Sequence, residues 1–149
     1  MTSFTTNPAL EHLALMVTPV NNWYQRNINS KEDRYIFSDD IFAVLDGHGG
    51  TIISDTLSKN LEPAIRSKLA DIDKSNEDVI RSTIIECFQE IDTQIIEMIK
   101  SKPNCGSTCT MVIRLNNKLV LINLGDSNLV LYVNGEKRIV MKEHLYSNP

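Results

Sequence analysis

The apolar residues of this chain change their spacing around Pro103, and that change limits the folds open to it. Before it, Ile80, Ile84, Cys87, Ile91, Ile95 and Met98 recur at gaps of four, three, four, four and three. That is the single stripe of an amphipathic helix. After it, Cys109, Met111, Ile113 and Leu115 alternate with Thr108, Thr110 and Arg114, with Val112 the exception. A period of two is the signature of a strand with one covered face. Helical and extended patterns kept in separate blocks point to an α+β fold with antiparallel sheet.

The remaining elements follow from the same reasoning. Ser75 or Asn76 can cap the Ile-rich helix, with Glu77 and Asp78 near its positive end. A helix from Thr51 to about Leu69 is expected from Ile53, Leu57, Leu61 and Ile65, and Pro63 is expected to break or kink it. Tyr35-Ile36-Phe37 and Ile41–Leu45 read as two strands around a polar corner at Ser38-Asp39-Asp40. The second run is continuously apolar, which predicts a strand buried on both faces. Leu119–Leu124, Leu129–Val133 and Lys137–Met141 are further strands, joined by turns at Asn116-Asn117 and Asn134-Gly135. Short strands are also expected at His12–Thr18 and around Trp23-Tyr24. With no internal repeat or linker, residues 1–149 are expected to form a single domain.

Composition removes several classes of function. The net charge of -4 offers no clustered Lys and Arg for nucleic acid or anionic lipid, so neither is expected as a partner. No apolar run approaches the ~20 residues of a membrane-spanning helix. Met1 to Leu15 carries Glu11 and His12 in its short apolar stretch and lacks a basic lead, so it does not read as a secretory signal. Cys87, Cys105 and Cys109 are an odd and sparse set that suits a reducing compartment, and the expected location is cytoplasmic.

Three short segments carry chemistry. Asp46-Gly47-His48-Gly49-Gly50 closes the apolar run Ile41–Leu45, placing a carboxylate at the rim of a sheet. The glycines allow close backbone approach, which frees the Gly47 carbonyl to join Asp46 as a hard oxygen ligand. His48 is positioned beside them to give a proton to a leaving oxygen. By itself the segment is equally a glycine-rich strand-to-helix turn. Glu32-Asp33 offers one metal ligand and one acceptor for coordinated water, or else a solvated acidic pair between Lys31 and Arg34. Gly125-Asp126-Ser127 offers a carboxylate at a strand junction, or an ordinary turn.

In order and approximate spacing, Glu32-Asp33-Arg34, Phe42 to Gly50, Gly106-Ser107-Thr108 and Leu124-Gly125-Asp126-Ser127 resemble the metal-dependent protein phosphatases of the type 2C family. The resemblance runs from about Gln25 to the last residue. It implies an α-β-β-α sandwich of antiparallel sheets, incomplete in this chain because family members are considerably longer, with the two helices flanking it. It also implies two Mg2+ or Mn2+ ions bridged by Asp46, with the Gly47 carbonyl and Glu32 as further ligands. Asp33 would hold coordinated water, and His48 would protonate the leaving serine or threonine oxygen of a phosphoprotein. Asp126 would lie near an additional, weaker metal site. The implied chemistry is direct attack of activated water on phosphorus, without a covalent intermediate.

The sequence also departs from that family. The arginine that binds substrate phosphate is usual five residues before the position of Asp33; here that place is Ile28, and Arg26 is the nearest candidate. Asn128 follows Gly125-Asp126-Ser127 where Arg is common, and Met141 to Tyr146 keeps only His144 of a Thr-x-Asp-His-x-Pro pattern. Two further aspartate ligands, in an Asp-Gly and an Asp-Asn pair, have no counterpart, since Asp126 is the last aspartate. At most one metal site is therefore expected to be well formed. The chain is expected to self-associate or to take a completing chain, because a truncated sandwich leaves sheet uncovered.

Other catalytic chemistries lack their residues. No second Cys or His pair accompanies Cys105 and Cys109 at zinc spacing. Cys109 and Arg114 are one residue too close for a cysteine-phosphatase loop, and no nucleotide-binding Gly-x-x-x-x-Gly-Lys is present. Two classes remain open: a metal-dependent serine/threonine phosphatase that is weak or inactive as this chain alone, and a non-catalytic phosphatase-like binding module.

Overall fold

In the computed structural model of the chain, residues 31–100, 104–116 and 118–141 are described. The strands expected at His12–Thr18 and Trp23-Tyr24, as well as Arg26, Ile28 and His144, lie outside them. The order of elements is β1 (Arg34–Phe37), β2 (Ile41–Leu45), β3 (Gly47–His48), α1 (Ile52–Ala70), α2 (Glu77–Met98), β4 (Gly106–Ser107), β5 (Cys109–Leu115), β6 (Lys118–Leu124), β7 (Leu129–Val133) and β8 (Glu136–Met141). This is the α+β arrangement expected from the two apolar periods.

The main sheet is antiparallel with order β1-β2-β5-β6. Its first corner is closed by Ser38, whose backbone N–H donates to Ile41 O at 3.0 Å. One face carries Ile36, Ala43, Met111, Ile113, Val120 and Ile122 into a core shared with both helices. From α1 that core receives Ile53, Leu57, Leu61, Ile65 and Leu69, and from α2 Ile80, Ile84, Cys87, Ile91 and Ile95. Met98, the last member of the α2 stripe, is exposed. Asn76 rather than Ser75 caps α2, its Oδ1 accepting from Asp78 N and Val79 N at 3.1 and 3.2 Å.

Two expectations are corrected. Helix α1 continues through Pro63, so the expected break does not occur. Pro63 and Lys59, whose carbonyl loses its usual donor, both lie on the exposed side. The buried residues Leu61 and Ile65 keep the helix seated on either side of the proline. Strand β2 is not buried on both faces, because Val44 is 49% exposed while Ile41, Ala43 and Leu45 are buried. The strand covered on both sides is β6, where Val120 and Ile122 enter the helix-side core. Leu119 and Leu121 face the opposite way and meet Leu129 and Met141. The hairpin β7-β8 thus covers the main sheet at its β6 end, and the apolar side chains of Tyr35, Phe37 and Val44 at the β1-β2 end remain exposed.

Candidate active site

Strand β2 ends at Leu45, which is completely buried, so Asp46 emerges at the rim of the sheet. The chain then turns into β3, which pairs with β4 through Gly47–Ser107 and His48–Gly106. Thr108 fixes this exit at both backbone groups of Asp46. Its N–H donates to Asp46 O at 2.8 Å, and its hydroxyl accepts from Asp46 N at 3.1 Å. Because Asp46 and Thr108 are bonded through this ladder position, the alternation of an antiparallel pair points the Gly47 carbonyl away from β4.

The glycines of the loop are demanded by contact. A Cβ at Gly47 would stand 2.5 Å from Glu32 O and 2.8 Å from Ser54 Oγ. Gly49 has a φ of 71°, and a Cβ there would meet Asn104 O at 2.1 Å. Gly106 lies under the His48 ring, where a Cβ would come within 2.3 Å of Cε1 and Nε2. His48 is therefore exposed yet seated on bare backbone across the β3-β4 pair.

The two acids before β1 point to different partners. Glu32 Oε1 accepts from Gly50 N at 2.7 Å, and the Glu32 backbone oxygen accepts from the Ser54 hydroxyl at 2.5 Å. Asp33, by contrast, lies beside Asp46 and acts on its carboxyl. Asp126 lies within electrostatic reach of Asp46, on the turn between β6 and β7. Partial burial raises the Asp46 pKa above its ordinary value, and the Asp33 and Asp126 charges add to the rise while His48 opposes it. The structure thus brings Asp33, Asp46, Gly47, His48 and Asp126 to one rim, and it holds Glu32 alongside through Gly50.

Among the supporting residues, Thr108 and Ser127 stand in segments the sequence singled out, while Asn123 and Thr110 carried no motif-level signal. Thr108 Oγ1 meets Ser127 Oγ at 3.0 Å, and Asn123 Nδ2 donates to Ser127 O at 2.7 Å. Asn123 Oδ1 accepts from Thr110 Oγ1 at 2.7 Å, which completes a polar chain between the Asp46 exit and the Asp126 turn. Asn123 is completely buried between apolar neighbours on β6. A polar residue interrupting an apolar strand was the available clue, because buried amides need partners.

The donor set fits a hard divalent cation. Two carboxylates side by side, a third nearby and a backbone carbonyl suit Mg2+ or Mn2+, which bind through one or two carboxylates and retain water. Among the described residues no group of three or more His, Cys, Asp or Glu side chains is placed to hold a metal ion, so side chains alone do not complete such a site.

The sequence profile described as Protein phosphatase 2C matches residues 22–149. The chain belongs to the protein phosphatase 2C family. Among curated relatives, it is 27% identical over 125 residues to Probable protein phosphatase 2C 45 of Oryza sativa subsp. japonica, covering 84% of this chain and 42% of that protein. It is 34% identical over 111 residues to Protein phosphatase 2C homolog 3 of Schizosaccharomyces pombe, covering 73% of this chain and 26% of that protein. The chain thus spans less than half the length of these family members. Its fold is similar to that of the serine/threonine phosphatase PstP/Ppp of Mycobacterium tuberculosis, with a TM-score of 0.56 and 20% identity, covering 97% of this chain and 56% of that one. The catalytic domain of PstP in complex with two manganese ions matches with a TM-score of 0.53 and 20% identity, over 91% of this chain and 53% of that one. Within the described residues, no helix is long and apolar enough to cross a membrane.

Proposed function

We propose that this chain carries the first part of a type 2C phosphatase site, binds one Mg2+ or Mn2+, and by itself hydrolyses phosphoserine or phosphothreonine peptides weakly or not at all. The reading is supported by the gathering of the Asp33, Asp46 and Asp126 carboxyls at the end of strand β2, where the acids act on one another's charge. Like charges held together are unfavourable unless a proton or cation lies between them. Asp33, Asp46 and the Gly47 carbonyl would hold the ion, with Asp126 contributing charge from the next turn. Glu32 keeps the glycine loop in place through Gly50 and leaves its second carboxylate oxygen for the ion or its water.

When bound, Mg2+ or Mn2+ supplies charge stabilisation at phosphoryl oxygens and acidifies water. The residues of the chain do the rest. His48, seated on Gly106, holds a proton at the edge of the loop for the departing serine or threonine oxygen. The glycine loop presents backbone rather than side chains to the incoming phosphoryl group.

The test is phosphopeptide hydrolysis by the full chain with excess MnCl2, beside Asp46→Asn, and calorimetric titration of Mn2+ into both. One Mn2+ equivalent bound by the native chain and lost in the variant, with turnover near background, is the expected result. Robust turnover that disappears in Asp46→Asn would overturn the weak-activity reading. Phosphopeptide binding without turnover would favour a non-catalytic binding module.

A further inference from the structure

We infer that Ser54 and Arg34 are positioning residues for the cation site, clamping the Glu32-Asp33 segment onto the first turn of α1. This rests on the cation reading above. Ser54 and Asp55 belong to a helix that contributes none of the candidate ligands, and Arg34 opens β1. Their contacts nevertheless converge on the acidic pair. The Ser54 hydroxyl, completely buried, donates to Glu32 O at 2.5 Å, in the same spot where Gly47 leaves room for it. Arg34 Nη1 donates to Lys31 O at 2.6 Å and Asp33 O at 2.8 Å, the carbonyls on either side of Glu32. Its Nε donates to Asp55 Oδ1 at 2.6 Å, which ties the whole segment to α1.

The arrangement needs these residue types. Arg34 reaches three acceptors with one planar fork, which the point charge of lysine does not reproduce. Lys31 has a φ of 38°, a left-handed conformation unusual for a side-chain-bearing residue, and Arg34 holds its carbonyl. The ion pair itself is about one-third exposed on each side, so its weight lies in geometry rather than in charge attraction. Releasing either contact lets the Glu32-Asp33 segment move relative to Gly47 and Asp46. Supporting contacts of this kind around metal sites typically change affinity by about 10–100-fold.

The test uses the full chain with Ser54→Ala, Arg34→Lys and, as a matched control, Ser58→Ala. The Ser58 hydroxyl donates only within α1, to Asp55 O at 2.9 Å. Two readouts are taken: exchange of the Gly50 amide by NMR without metal, and MnCl2 binding by calorimetry. The Gly50 N–H reports the clamp because Glu32 Oε1 is its acceptor. Ser54→Ala and Arg34→Lys should each speed Gly50 exchange about tenfold, as expected on freeing a charge-assisted bond. Each should also weaken Mn2+ binding about 10–100-fold, while Ser58→Ala does neither. Unchanged Gly50 exchange in both variants would overturn the inference. So would faster exchange with undiminished Mn2+ affinity, or an equal loss in Ser58→Ala. If Ser54→Ala fails to fold, Arg34→Lys, at a position about one-third exposed, decides alone. A native chain that binds no Mn2+ sinks the cation reading, and Gly50 exchange then still judges the clamp.

Discussion

The Asp33 carboxyl stands beside that of Asp46 and helps to raise its pKa, although the two come from separate segments, one leading into β1 and one leaving β2. The register of the two strands sets this meeting. Arg34 pairs with Leu45, so the residue before one strand and the residue after the other share the same rim. The site is therefore a product of a two-stranded corner, and its cost to the metal-free fold follows from the same contact.

That cost yields a first prediction. A carboxyl whose pKa is raised in the folded chain disfavours folding once it ionises, and its penalty disappears at pH below the unfolded value. At neutral pH, Asp46→Asn should therefore stabilise the metal-free protein while abolishing Mn2+ binding. Since Asp46 is solvent-accessible, screening keeps the gain small, a Tm rise of about 1–3 °C. Thermal melts with chelator present check it, and a lowered Tm would contradict it.

Asp55 predicts the opposite pH behaviour. Its hydrogen bond with Thr51, and next the Arg34 guanidinium, hold its pKa below the ordinary 3.8. A lowered carboxylate pKa gives stability that is present above the unfolded value and lost as pH falls through the folded one. Asp55→Asn should thus lower the urea midpoint at pH 6, with the difference from the native chain shrinking below about pH 4. A difference that is constant down to pH 2 would rule this out.

The three cysteines should differ sharply in reactivity. Cys109 is 2% exposed and burial pushes its thiol up to about 12, while burial also raises that of the fully buried Cys87. Cys105 is partly exposed and its Sγ lies 2.7 Å from Gly49 O. Iodoacetamide at pH 7.5 should label Cys105 alone in the native protein and all three in urea, read by mass spectrometry. Labelling of Cys109 under native conditions would show that β5 opens readily.

The uncovered end of the main sheet should be visible to apolar dyes. Tyr35, Phe37 and Val44 are 56%, 50% and 49% exposed, and Phe37 and Phe42 stack edge-on with centroids 5.3 Å apart. An apolar surface of this kind on one sheet face is unusual for an isolated soluble domain. The double variant Phe37→Ser and Val44→Thr should reduce dye fluorescence at least about twofold and change Tm by less than about 3 °C. Unaltered fluorescence would place the apolar surface elsewhere.

Much of the fold was legible because local periodicity reports on a single element. The stripe from Ile80 to Ile95 and the alternation from Cys109 to Ile113 each mark the face that is buried. The Asn134-Gly135 turn was readable too, and its φ values of 53° and 79° are those of a two-residue hairpin. The short β3 and β4 strands were missed, since two residues carry no period. Continuous apolarity in β2 was misread for a related reason: it says that both faces tolerate burial, not that something lies on each.

The sequence by itself determined the family, both helices, the longer strands and the glycine-rich loop, because these depend on residue type and short-range spacing. Tertiary structure alone decided that β6 rather than β2 is covered twice, and that Ser54 and Arg34 brace the acidic segment against α1. The bonds to α1 join residues 21 and 22 positions apart, and the double cover of β6 joins separate layers. Such contacts are set by strand register and by which layer packs where, and neither is written in any local period.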